Sequence, residues 1–147
     1  MEYAARVRRI ARLTLVTLVL VAGAGAVGAE HTVYFRYVVL GFLKDAGGKL
    51  LRGHPVDVVR DKTGFAYYGE TDGQGFYMVV VRLGDESAGE TLTVRVGTVT
   101  ATVRVRFDPA NHKDDRGTRI DLEGGTLVER TAAFRPTLVR FLGNDRR

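Results

Sequence analysis

The sequence predicts an all-β fold: a sandwich of about seven short strands behind an N-terminal export signal. Three observations carry the prediction. Between Thr32 and Leu122, short apolar runs alternate with turn signals built from Gly, Asp and Pro. Within that span, Thr91–Val96 and Val99–Phe107 alternate strictly between apolar and polar residues across a short Gly97-Thr98 loop. No internal repeat, heptad or low-complexity tract competes with a strand reading.

The export signal covers residues 1–29 and has its zones in the required order. Arg6, Arg8, Arg9 and Arg12 form the basic zone, against the single acid Glu2. Leu13–Ala22 is apolar, and Gly23–Ala29 is built from small residues, with Val27 the largest. Val27-Gly28-Ala29 suits cleavage before Glu30, while Ala24-Gly25-Ala26 and Ala26-Val27-Gly28 also fit. The alternative is an uncleaved anchor, but a spanning helix wants about 20 apolar residues and this run is shorter and glycine-rich.

The strands follow in order. Thr32–Lys44 is long and apolar, with Gly41 marking a bulge or bend. Asp45–Gly48 is a turn, Pro55–Arg60 a second strand and Phe65–Thr71 a third. Thr71–Gly75 is a tight turn in which glycines supply positive φ, and Phe76–Leu83 is the fourth strand. The Gly97-Thr98 loop suits a type II′ hairpin that pairs 96 with 99, 94 with 101 and 92 with 103. All six of those residues are apolar and share a face, which fixes the register from both strands independently. Thr118–Leu122 closes the domain, and Gly124-Gly125 breaks the pattern. Residues 30–125 are therefore the domain and 126–147 a basic, apolar tail. In the tail, Pro136–Leu142 reads as one or two helical turns, with Leu138, Phe141 and Leu142 on one face.

Charge and cysteine content bound the function. The signal holds +3 of the chain's net +5. The tail carries Arg130, Arg135, Arg140, Arg146 and Arg147 against Glu129 and Asp145, so residues 30–125 are close to neutral. The high pI is thus no argument for nucleic acid as a partner. The chain has no cysteine, which excludes disulfides and lipid attachment at cysteine, so the fold stands on its core.

The stretch Gly41–Val58, followed by Glu70–Tyr77, resembles the carboxypeptidase regulatory-like domain. The positions that carry the resemblance are Gly41, Asp45, Gly47, Leu51, Gly53, Val56, Val58, Thr71, Asp72, Gly75 and Tyr77. Leu50 stands where that family usually has proline, and the tail has no counterpart in the pattern. The resemblance covers about residues 33–107 and implies a transthyretin-like, immunoglobulin-related β-sandwich acting as an accessory module. Asp72, Gly73 and Gly75 are its structural turn, with Asp72 accepting turn amides and Gly75 relieving the backbone.

No catalytic residue is assigned. The three histidines, His31, His54 and His112, sit in no nucleophile motif. No metal or cofactor is assigned either. Cleavage before Ala29 would make His31 the third residue, a set suited to Cu(II), whereas cleavage before Glu30 spoils it. Asp72, or Asp108, Asp114 and Asp115, offer oxygen ligands for Ca²⁺ without EF-hand spacing, and turn capping accounts for them. Arg95, Arg104 and Arg106 share a strand face with Thr93, Thr100 and Thr102, a patch for anionic glycan or phosphate or else a solvated outer face. Tyr34, Tyr67 and Tyr68 are candidates for stacking on sugars. Arg135, Leu138, Arg140 and Phe141 make the tail a docking segment or a clasp on its own domain.

The expected function is an exported, non-catalytic binding or structural module, periplasmic or at the cell surface, engaging an envelope protein or glycan. The alternative is an accessory subunit of an envelope enzyme or transport assembly, docked through its tail. Membrane contact enters only through an uncleaved signal or the tail.

Overall fold

The computed structural model describes residues 35–144. The export signal, His31, Thr32–Tyr34 and Asp145–Arg147 lie outside the described residues. The described residues hold eight strands: β1 Phe35–Phe42, β2 Pro55–Arg60, β3 Phe65–Glu70, β4 Phe76–Leu83, β5 Thr91–Val96, β6 Val99–Arg104, β7 Arg116–Glu123 and β8 Thr126–Glu129. They also hold one α-helix, α1, over Phe134–Asn144. The strands form two four-stranded sheets, ordered β4-β1-β7-β8 and β3-β2-β5-β6. Every pairing is antiparallel except β1 with β7, which is parallel.

Alternation explains the core. Tyr37 and Val39 on β1, Val56 and Val58 on β2, Tyr77, Val79 and Val81 on β4, and Leu92, Val94 and Val96 on β5 all point between the sheets and are buried. The β5–β6 hairpin has the expected register: Val96 faces Val99, Val94 faces Ala101 and Leu92 faces Val103. Gly97 has φ +58, and among the described residues no non-glycine has positive φ, as a type II′ turn requires.

The strand count differs from the expected seven, and the reason is local. Gly124 and Gly125 do not end the fold; they turn β7 back onto β8, pairing Glu123 with Thr126 and Leu122 with Leu127. β8 has only four residues, of which just Leu127 is even half-buried, so it carries no readable alternation. The helix is also longer than expected and starts at Phe134, so Pro136 sits inside its first turn, where an N–H has no partner in any case. Both elements continue the fold past residue 125.

The outer face of β1 is apolar as well. Val38 and Leu40 form a second buried cluster with Phe76, and Phe134 and Leu138 of α1 cover it. This double burial is why β1 reads as a continuous apolar run rather than an alternating one. Burying the Phe134 and Leu138 side chains contributes about 1.5–3 kcal/mol each.

Gly41 is not a bulge, because β1 pairs with β4 without a break, Gly41 facing Tyr77. Its missing side chain serves the other neighbour: a Cβ there would overlap the Ile120 carbonyl. That carbonyl accepts the Tyr77 hydroxyl at 2.8 Å. Burial pushes the Tyr77 hydroxyl far above its ordinary pKa, so it stays protonated and donates. The β1–β7 ladder skips at this point, and the Asp121 carboxylate accepts the Phe42 N–H at 2.9 Å instead. Asp121 has no exposed surface. It also accepts from Arg119 Nε at 3.0 Å and from Arg130 Nη1 at 2.9 Å. Arg119 Nη1 in turn donates to Thr137 of α1 at 3.0 Å. One carboxylate therefore joins β1, β7, the segment after β8 and the helix. Asp121→Asn leaves two guanidiniums facing a neutral amide. It should lower unfolding free energy by about 3 kcal/mol, measured as a drop in urea midpoint.

Candidate functional site

The outer face of β3-β2-β5-β6 has no helix over it among the described residues. Register places Tyr68, Asp57, Arg95 and Thr100 in one row across the four strands. The next row on this face carries Thr93 and Thr102, and beyond it Thr91 faces Arg104. Arg95, Thr100, Thr102 and Arg104 are exposed, and the ring of Tyr68 is 75% exposed. The Thr91 and Thr93 hydroxyls donate to Asp61 at 2.6 and 2.7 Å, leaving Thr100 and Thr102 free of that carboxylate. The Arg104 side chain reaches the Gly89 carbonyl at 3.5 Å, whereas the Arg95 side chain has no hydrogen bond to a described residue. Edge strand β3 exposes a second aromatic, Phe65, at 60%. Tyr67 between them turns inward and meets Phe65 edge-on at 4.9 Å.

An ion pair at the end of β2 holds this face. Arg60 Nε and Nη2 each donate to Glu90 at 2.8 Å, and Arg60 also donates to the Ser87 hydroxyl. Both side chains are largely shielded. Glu90 precedes β5, so the fork clamps the start of β5 to the end of β2. The Arg60 hydrogen bond holds the Glu90 carboxyl below its usual range, against partial desolvation.

Arg106 keeps outward parity but lies past the end of β6, in the loop 105–115, where it lines a cavity of about 320 Å³. The patch expected from three arginines thus keeps Arg95 and Arg104 on the face and sends Arg106 to the loop. The loop is organised by Arg116, which the sequence reading passed over. Its buried guanidinium lies 4.7 Å from the Phe35 ring and 4.0 Å from the Phe107 ring. It donates to Asp85 at 2.9 Å and to the carbonyls of Pro109 and Asn111. His112 stacks on Phe35 at 4.7 Å and meets the other Asp85 oxygen at 2.9 Å. The three loop acids have separate partners. Asp108 accepts the Ala110 amide, Asp114 accepts from Asn111 and Arg135, and Asp115 faces Arg36 at 3.7 Å. Among the described residues no three His, Cys, Asp or Glu side chains gather as a metal site.

The tail residues divide in the same way. Leu138 is 4% exposed, and Phe141 lies 4.9 Å from Phe76, so both pack on their own sheet. Arg135 pairs with Asp114 at 3.1 Å. Leu142, one turn after Leu138, is 40% exposed, and Val139 is 69% exposed. Arg140 is exposed and makes no ion pair with a described residue.

The Thr71–Phe76 turn has the expected geometry. Asp72 Oδ1 accepts the amides of Gln74 at 2.8 Å and Phe76 at 3.0 Å. Gly75 has φ +73, and its amide and carbonyl bond to the Asp72 carbonyl and the Leu43 amide. Gly73 has no positive φ and open space around it, so it is not needed for this turn. Buried Thr71 bonds to His54 through both main chain and side chain. Asp72 then meets Arg140 and Phe141 around one cavity of about 300 Å³. The turn and the tail, picked out in the sequence by separate arguments, converge there.

Comparison with protein-family models, curated proteins and solved structures finds no match.

The Arg60–Glu90 fork has a pH signature. A carboxyl with a depressed folded-state pKa contributes stability that is complete above its unfolded value, about 4.3, and is lost as pH falls through the folded value. Wild type should therefore lose stability more steeply than Glu90→Gln as pH falls from about 5 to about 3. Urea midpoints across that range measure it, and equal slopes would contradict the assignment.

Proposed function

We propose that the protein is an exported, non-catalytic binding module of the cell envelope that takes a glycan on the open face of β3-β2-β5-β6. Export rests on the zone order of residues 1–29. The accessory-module reading rests on the resemblance of Gly41–Val58 and Glu70–Tyr77 to the carboxypeptidase regulatory-like domain, and two packed four-stranded sheets support it.

One observation carries the choice of surface: the row Tyr68, Asp57, Arg95, Thr100. Strand spacing of about 4.8 Å makes the row about 14 Å long. At one end Tyr68 offers an exposed apolar ring; along the rest stand an acceptor, a donor fork and a hydroxyl. A sugar chain presents C–H faces for the ring and hydroxyls for the polar groups. A protein partner would use the same edge strand, where Tyr68 on the outer face and Phe65 at the start of β3 are exposed.

A second reading, an accessory subunit docked through residues 126–147, is favoured by the exposed Val139 and Leu142 beside Arg140. The apolar anchor of the tail is already committed to the sheet beneath it, which leaves this surface small.

Binding of the purified protein to immobilised envelope polysaccharides tests the choice. Tyr68→Ala should weaken retention about tenfold, about 1.4 kcal/mol. Folding should change by less than about 0.5 kcal/mol, because the side chain is exposed. Retention untouched by Tyr68→Ala, or a partner lost on Val139→Asp alone, would transfer the function to the tail.

A further inference from the structure

The second surface with ligand chemistry lies on the other sheet. The cavity of about 300 Å³ between α1 and the Asp72–Phe76 turn has an aromatic floor. Phe42 and Phe76 stand 5.2 Å apart between ring centroids, and Phe76 and Phe141 4.9 Å. The polar groups come from three elements: Arg119 from β7, Thr137 and Arg140 from α1, and Asp72 and Gln74 from the turn. An apolar floor with a few converging polar groups is the usual composition of a small-molecule site, and about 300 Å³ is the lower end of its usual volume.

The polar groups are not equally available. Arg119 lies 5.0 Å over the Phe42 ring and spends its Nε and Nη2 on Asp121 and its Nη1 on Thr137. Asp72 Oδ1 is occupied by two turn amides. Arg140 has no such commitment among the described residues. The charge of Arg119 is already matched by Asp121, so Arg140 is the guanidinium in the lining left for an incoming acceptor. The fork of Arg140 matches a carboxylate in plane and spacing.

We propose that this cavity binds a small planar aromatic carboxylate, its ring against Phe42 and Phe141 and its carboxylate on Arg140. Aromatic rings prefer offset or tilted contact with centroids about 4.5–7 Å apart; Phe76 is buried beneath its neighbours, while the half-buried Phe42 and Phe141 leave ring surface to a third ring. The site rests on a fixed support, because Thr137 is tied to Arg119 and the turn is closed by its own amides. It stands independently of the open face of β3-β2-β5-β6.

Titration of the purified protein with naphthoate, read by calorimetry and by the NMR shifts of the phenylalanine rings, tests the proposal. Saturable binding with shifts at Phe42, Phe76 and Phe141 is expected. Arg140→Gln should weaken it about tenfold, the loss of one charge-assisted contact. The thermal midpoint should hold, since Arg140 is exposed. Naphthamide should bind wild type about as weakly as naphthoate binds the variant, and Arg95→Gln, on the other sheet, should bind naphthoate like wild type. No saturable binding at millimolar naphthoate, binding unchanged by Arg140→Gln, or shifts centred on Phe65 and Tyr68 would each overturn the assignment.

Discussion

A carboxylate withdrawn completely from water must find its hydrogen bonds within the protein. At Asp121 that requirement organises half the molecule. The Phe42 amide, Arg119 and Arg130 supply the donors, and each belongs to a different piece of chain. Gly41 makes the arrangement possible, since any side chain there would displace the Ile120 carbonyl and the Tyr77 hydroxyl bound to it. The parallel β1–β7 contact thus exchanges one stretch of main-chain ladder for a side-chain knot. The knot extends through Arg119 and Thr137 to α1.

That extension gives the two outer faces different fates. On the outer face of β4-β1-β7-β8, α1 covers the apolar patch of Val38, Leu40 and Phe76, fixed by Phe134 and Leu138 and on its flank by Thr137. The face of β3-β2-β5-β6 is polar and open. Its strands are held from below by the valine and leucine core and at one end by the Arg60–Glu90 fork. A face so supported needs no cover for stability, and Tyr68 and Arg95 are left to solvent.

Legibility in the sequence followed the same division. The β5–β6 hairpin was readable to the residue because one side is buried and the other wet, so alternation reports both strands at once. The Thr71–Tyr77 turn was readable because Asp72 and Gly75 solve a backbone problem that few other residues solve. β8 was not, because four residues with one half-buried side chain give no period. Arg116 and Asp121 were not, because their meaning lies in partners far along the chain: Asp85 is 31 residues from Arg116, and Phe42 is 79 from Asp121. Of Leu138, Phe141 and Leu142, expected on one apolar face, Leu138 and Phe141 pack against Phe76 and Leu142 is exposed. Whether the stripe meets a partner or its own sheet depends on β1, whose double-sided apolar run was the available clue.

The arginines show why a charge count is a poor guide to a charged surface. The tail reads as basic, with five arginines against two acids. In the folded chain Arg130 is spent on Asp121 and Glu123, and Arg135 on Asp114. Among the described tail residues, Arg140 alone is a cation without an ion pair to another described residue. The described part of the basic tail thus becomes a clasp with Arg140 at the mouth of an aromatic cavity. The open face reaches a similar end by another route, with Arg95 set between Asp57 and Thr100 by register alone. At both places the cation left without an ion pair to a described residue is found by subtracting the ion pairs of the fold from the sequence rather than by counting residues.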